Sequence, residues 1–317
     1  MRNMADRDEV AENIYLIDNL VYSIPRSGSV YLINEEKKAL VEVGPPSSVD
    51  SVLNGIRAAG VEPEDIDYIV VTHIHLDHSG GAGVLLTHMP KAKVVAHHMD
   101  IRHLVDPQRL INSMRKVQGD GFWGKVGQVV AVPSSRVQAV HDGDTIELGS
   151  QQTLRIIDAP GHSPNHICIF ETRNGGVFSG EAAGSLMADG KIILPVNTPP
   201  AFDLEQYVAT IDRLMKLNPS RLYYSHFGVT SAVQDNLEQA REKALIWDDI
   251  VTAALRENAA ESIAERMADR FRDEIELARG NIPLYDYLMS NMQVYAAAYV
   301  KYHQDKHRAE TAGQRKR

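Results

Sequence analysis

Up to about residue 228, apolar positions come in short runs rich in β-branched and aromatic residues, punctuated by Gly, Pro and Asn. That is the pattern of strands. Runs at 13–18, 29–34 and 39–43 predict three strands, and Gly44, Pro45 and Pro46 end the series. From Ser48 to Ala59 the spacing becomes helical, with Val49, Val52, Leu53 and Ile56 on one side. A buried-type strand is predicted at 66–71, then a short helix at 83–88 and a strand at 93–96. Residues 98–132 read as two helical turns and a Gly-rich loop around Phe122 and Trp123. Strands return at 137–140, 145–148, 154–158, 167–171 and 176–179. Asp203 and Gln206 resemble a capping box, opening a helix to about Leu217 ahead of a strand at 221–225.

Beyond residue 230 strand signals stop. Residues 231–317 are rich in Ala, Glu, Arg, Leu and Met, contain a single proline, Pro283, and predict helices at 232–256, 260–278 and 283–304. Two regions follow: a mixed α and β domain at 1–230 and a helical region at 231–317. In the last helix Leu284, Leu288, Met292, Tyr295 and Tyr299 share one face. Core packing is the default meaning of that stripe, and ligand lining the alternative.

Composition narrows the classes. The 317 residues include 44% hydrophobic and 24% charged, globular values that allow a sizeable core. Lys and Arg total 33 against 42 Asp and Glu, a net charge of −9. That acidity argues against a sequence-independent binder of nucleic acid or anionic membrane. The basic Arg315, Lys316 and Arg317 read as a solvated tail. Cys168 is the single cysteine, so no intramolecular disulfide forms and a reducing compartment is favoured. Residues 1–10 are charged and lack the apolar core of a signal peptide. The longest apolar run, 294–300, falls short of the roughly 20 residues of a membrane span. The expectation is a soluble, cytoplasmic protein.

Thirteen histidines stand out, and their placement points to chemistry. Directly after the 66–71 strand come His73, His75, Asp77 and His78. In extended backbone, positions i and i+2 point the same way, so His73 and His75 can bind one ion. Past a bend, Asp77 and His78 can face a second. Imidazole and carboxylate are ligands for zinc, iron or manganese. Three further candidates follow predicted strands: His162 after 154–158, Glu181 after 176–179 and His226 after 221–225. His73, His75 and His162 would hold one metal, Asp77, His78 and His226 the other, with Glu181 bridging. His88, His97, His98, His103, His141, His303 and His307 complete no shell, His166 reads as a local hydrogen-bonding residue, and Cys168 as a core thiol.

This order of motifs, HxHxDH, Gly-His-Ser, Ser-Gly-acid and His, resembles the metallo-β-lactamase-fold hydrolases over about residues 12–228. The resemblance implies an α+β fold, the αββα sandwich, here with an all-helical C-terminal extension. It implies two divalent ions, zinc first, and hydrolysis of an ester-like bond by a metal-bound hydroxide, with Asp77 carrying a proton. One position departs from the family: the bridging acid is usually Asp and here is Glu181. The tyrosine of the lactonase-like members is missing near Gly184, and no Cys stands where familiar β-lactamases have one.

Specificity must come from what covers the metals. The insertion 99–131 offers Phe122 and Trp123, and the last helix Met292 and Tyr295, an apolar roof suited to a small-molecule substrate with an acyl or aromatic part. The C-terminal helices would either cap the site or form a homodimer interface. A thioester or carboxylic ester leads as substrate. A small phosphodiester on the same scaffold, or a weakly catalytic interaction protein that kept the site, are the alternatives.

Overall fold

The structure, a computed structural model, describes residues 8–314, and of Asp120, Gly313 and Gln314 the backbone only. The first seven residues and the basic Arg315, Lys316 and Arg317 lie outside the described residues. Strands β1 (Asp8–Ala11), β2 (Ile14–Asp18), β3 (Ser29–Asn34), β4 (Lys38–Val41), β5 (Ile66–Val70), β6 (Lys93–His97) and β7 (Val137–Val140) form one sheet in chain order. β1 to β4 pair antiparallel, and β4 to β7 parallel.

The second sheet holds β8 (Thr145–Gly149), β9 (Gln152–Asp158), β10 (Ile167–Glu171) and β11 (Val177–Gly180). A small hairpin of β12 (Ser185–Met187) and β13 (Ile192–Leu194) follows. β14 (Leu222–Tyr224) then pairs parallel with β11, and β15 (Gly228–Thr230) closes the edge. Three-residue strands such as β12 and β13 are too short to show a period, and the charged β1 carries no apolar run, so neither was legible as a strand.

The period of two along each strand builds four layers. In β3, Tyr31 and Ile33 point between the sheets, where they meet Ile156, Ile169, Phe178 and Tyr223. Their neighbours Val30 and Leu32 point the other way, onto Val52, Leu53 and Ile56 of helix α1 (Val49–Ala58). In the second sheet Ile169 faces inward, while Cys168, Leu222 and Tyr224 face outward. The outward face is covered by the helix at Leu204–Leu217 and by the C-terminal helices. Helix, sheet, sheet and helix is the αββα order.

Helices α2 (Leu76–Ser79) and α3 (Ala82–Leu85) follow β5, and α4 (Ile101–Val105), α5 (Gln108–Gln118) and α6 (Asp120–Trp123) form the arm between β6 and β7. α7 (Leu204–Leu217) starts at the predicted cap: Asp203 accepts from the Gln206 backbone at 3.0 Å and from its side chain at 2.9 Å. The helical region comprises α8 (Val233–Arg256), α9 (Ile263–Arg270), α10 (Arg272–Glu276) and α11 (Ile282–Gln314). Trp247, Met267, Leu288 and Tyr299 join it to the sheet in one continuous core. The sequence predicted one helix over 260–278, but Phe271 leaves helical geometry at φ −116°, ψ 23°. Its ring is buried near Trp247, and that tertiary contact outweighs helical continuity. Pro283 sits in the first turn of α11, where a missing N–H costs nothing.

Candidate metal centre

The strand ends determine where the candidate ligands lie. β5 runs into His73–His78, β9 into His162, β11 into Glu181 and β14 into His226, all at one edge of the two sheets. Backbone bonds tie these loops together: Val43 N donates to His78 O at 3.0 Å, Ile167 N to Thr72 O at 2.8 Å and Ser29 N to Ser225 O at 2.7 Å. Two glycines permit the close approach. Gly161 (φ +136°) leaves no room for a Cβ, which would stand 2.3 Å from Tyr207 backbone atoms. Gly180 (φ +55°) lies against His166 in the same way, at 2.3 Å from Nε2.

The seven sequence candidates converge. His73 Nε2 and His162 Nε2 lie 2.9 and 3.1 Å from His75 Nδ1. Glu181 Oε2 faces His162 at 2.9 Å, His78 at 3.2 Å and His73 at 3.4 Å, while its Oε1 faces His226 at 3.2 Å. Asp77 Oδ2 is 3.7 Å from His78 Nε2. Three sets of donor atoms could each hold a cation: His73, His75, His162 and Glu181 in one, Asp77, His78 and His226 in another, and Glu42, His73 and His78 in a third that overlaps both. The glutamate at 181 stands between the first two despite its extra methylene.

The hydrogen bonds behind the rings decide which nitrogens face inward. Thr72 Oγ1 donates to the carboxylate of Glu42, so it accepts from His73 Nδ1 at 3.0 Å. His226 Nδ1 donates to the Ser27 carbonyl at 3.0 Å. Asn197 donates through Nδ2 to the Pro195 carbonyl, leaving Oδ1 to accept from His162 Nδ1 at 3.2 Å. Each ring thus presents an unprotonated Nε2 to the centre, the arrangement that orients a metal ligand. Lone pairs about 3 Å apart repel one another unless a cation lies between them. His78, buried between Glu42 at 3.4 Å and Glu181, has no hydrogen bond with good geometry on either ring nitrogen. The donor set fits divalent metal on these grounds.

Electrostatics follow from burial and crowding. Burial, then the neighbouring His78 and His75, holds His73 well below the usual histidine range, and burial with His162 takes His75 down to about 4. Both are neutral, the ligand form. Burial alone would raise Glu181, but with protons on the His162 and His226 rings in place of a cation the carboxyl is held well below its usual range. For His78 burial pulls downward and is overcome by Asp77 and Glu42, which hold it well above.

The centre opens into a cavity of about 380 Å³. His75, Asp77, Glu181 and His226 lie on its floor, with Tyr22, Tyr287 and Tyr295 among the walls. Of the four substrate-contact candidates, only Tyr295 lines the cavity. Phe122 packs edge-on against Tyr22 at 4.6 Å, Trp123 lies under Arg115 and Met292 is in the core. Sequence reasoning missed Glu42, Asn197 and the wall position of His103. Glu42 had one signal, a lone carboxylate inside the apolar 39–43 run. His166 reaches further than a local bond: its Nε2 accepts the Glu181 backbone N–H at 3.2 Å. Burial pushes the Cys168 thiol up, in keeping with a core thiol.

Residues 23–226 match the family described as the metallo-beta-lactamase superfamily. The chain is 27% identical over 224 residues to metallo-beta-lactamase fold-containing protein ST1585 of Sulfurisphaera tokodaii, spanning 69% of this chain and 80% of that one. It is 32% identical over 165 residues to human acyl-coenzyme A thioesterase MBLAC2, spanning 47% of this chain and 50% of the relative, half its length. Among solved structures, metallo-beta-lactamase family protein TTHA1429 from Thermus thermophilus superposes with a TM-score of 0.69 at 18% identity, over 94% of this chain and 95% of that one. That likeness is one of fold.

Proposed function

The chain belongs to the metallo-β-lactamase superfamily, and from that premise we propose that it is a binuclear, metal-dependent hydrolase of thioesters with an apolar acyl part. The observation that carries the reading is the seven-donor centre at the floor of a cavity walled by tyrosine and aliphatic side chains. The partial similarity to an acyl-coenzyme A thioesterase supports a thioester over an oxygen ester. Among the described residues no helix is long and apolar enough to cross a membrane.

Two divalent ions, zinc first, would lower the pKa of bound water towards about 7 and polarise the scissile carbonyl. His73, His75 and His162 would hold one, Asp77, His78 and His226 the other, with Glu181 shared. Asp77 accepts the proton of the attacking water at its carboxylate and returns it to the departing sulfur. The carbonyl carbon gains the oxygen, the carbon–sulfur bond breaks, and acid and thiol leave. Tyr22, Tyr287 and Tyr295 line the cavity and would offer phenol donors to the substrate. Burial, reinforced by the charges of Asp77 and Glu181, pushes all three phenols up, so they keep their protons. α11 serves as a wall of the acyl pocket.

The test is metal analysis of the purified protein, with thiol release from acyl-coenzyme A and acyl-glutathione esters before and after chelation. Chelator-sensitive release is expected. Intact thioesters with metal bound would overturn the thioesterase reading and move the assay to small phosphodiesters. Protein that takes up no metal would turn it to interaction.

A further inference from the structure

We propose that the rim of the cavity is a subsite for an anionic group of the substrate, formed by Arg102, His103 and Arg109. The inference rests on the hydrolase reading above and adds the chemistry of the substrate's far end.

All three residues line the cavity, and all come from the arm of α4 and α5. Arg102 and Arg109 are exposed whereas Glu181 and Tyr295 are buried, so the guanidiniums stand at the mouth and the metal ligands at the floor. Elsewhere Arg173, Arg213 and Arg241 each meet a carboxylate. Among the described residues the Arg102 side chain has only a bond from Nε to His103 Nε2, at 3.2 Å, and the Arg109 side chain has no hydrogen bond or ion pair. A guanidinium can only donate, so His103 Nε2 accepts and the ring proton sits on Nδ1, a further donor.

Among the described residues neither nearby acid, Asp100 or Asp106, makes an ion pair with Arg102 or Arg109. Asp100 accepts from Asn165 Nδ2 at 2.7 Å, and burial takes its carboxyl up to about 6. Asp106 accepts the Gln108 backbone N–H at 3.2 Å and faces His103. Burial first, then Arg102 and Arg109, hold His103 below the usual histidine range, against the upward pull of Asp106. In a chain of net charge −9, a paired positive rim stands against the overall field. Between rim and floor the lining is mainly apolar, with Leu110, Met114, Val196 and Tyr295 beside the polar Ser113, Gln118 and Asn291. The shape calls for an anion at one end, an apolar stem and a labile bond at the other. Planar forks suit phosphate or carboxylate.

The test uses the metal-loaded protein and the double variant Arg102→Gln, Arg109→Gln. Three thioesters share one acyl group: coenzyme A with phosphates, glutathione with carboxylates, and the uncharged N-acetylcysteamine. We expect KM to rise about tenfold or more for one of the charged esters, with kcat and the uncharged ester unchanged. The ester that responds identifies phosphate or carboxylate. An equal change on all three esters, or none on either charged one, overturns the subsite. If wild-type protein cleaves no thioester, the functional reading fails alone, and binding decides the subsite. Calorimetry with adenosine 3′,5′-bisphosphate and with S-methylglutathione should show salt-sensitive affinity for one of them, lost in the variant. No binding of either, or binding equal in both proteins, overturns it.

Discussion

His166 and Glu181 are joined by one hydrogen bond: the Glu181 backbone N–H donates to His166 Nε2 at 3.2 Å, across fifteen positions of sequence. The same ring stacks on His73 with centroids 4.9 Å apart. One imidazole therefore braces both the shared carboxylate and a ring facing it. His166→Ala should weaken metal binding about 10–100-fold, the usual cost of losing such an outer support. Chelator competition measures it, and unchanged affinity would reduce His166 to packing.

Asp77 lines the cavity and lies 3.7 Å from His78. Asp77→Asn keeps an oxygen donor but cannot carry the proton. Turnover should fall about 10²–10⁴-fold while metal content stays close to wild type. Full activity in that variant would remove the proton role, and loss of metal would make Asp77 purely a ligand.

Gly180 is fixed by space as well as by its φ of +55°. An added Cβ would meet His166 Nε2 at 2.3 Å and Thr72 Oγ1 at 2.8 Å. Gly180→Ala should cost about 2–4 kcal/mol in stability and disturb metal binding too. Gly190, at φ +83° with nothing within 4 Å, is the control. Gly190→Ala should cost about 1 kcal/mol of backbone strain alone. Thermal melts of the two variants decide it; equal losses would show that crowding at Gly180 is absorbed.

Asp100 gives a pH signature. Its carboxyl goes from 3.8 up to about 6 on folding, through burial, against the pull of Asn165 and Arg102. The folded state binds the proton more tightly than the unfolded one. Stability therefore falls as pH rises from about 4 to about 6, and the penalty is constant above. Asp100→Asn removes that slope, so relative to wild type it should gain on the order of 2 kcal/mol between pH 4.5 and pH 8. Denaturant midpoints at several pH values measure this. A pH-independent difference would mean that the Asp100 carboxyl does not titrate between those limits.

Much of the fold and centre was legible because its signals are local. His73 to His78 lie within six residues of a strand end, and alternation along β3 and β10 marks which side chains meet between the sheets. What escaped depends on contacts that sequence does not print. Glu42 looked like one polar residue in an apolar strand until Thr72 and Ser225, from distant elements, donated to it. Asn197 gains its role only because α11 and the 195–200 segment bring it against His162. The charges of the α4 and α5 arm carried no signal of a site, since α5 buries none of its residues. Phe122 and Trp123 drew attention as aromatics, yet one supports Tyr22 from behind and the other takes the guanidinium of Arg115.

The convergence of β5, β9, β11 and β14 on one edge also bears on how the chain folds. His78 and His226 are neighbours in space, with ring centroids 5.3 Å apart, but are separated by most of residues 1–230 in sequence. Closing such distant loops is entropically slow, so the full set of donors assembles only after both sheets have paired. The 73–78 segment alone supplies a fragment of it. Tight metal uptake during refolding therefore marks the last contacts to form, and its kinetics would report the arrival of β14 at the edge of the second sheet.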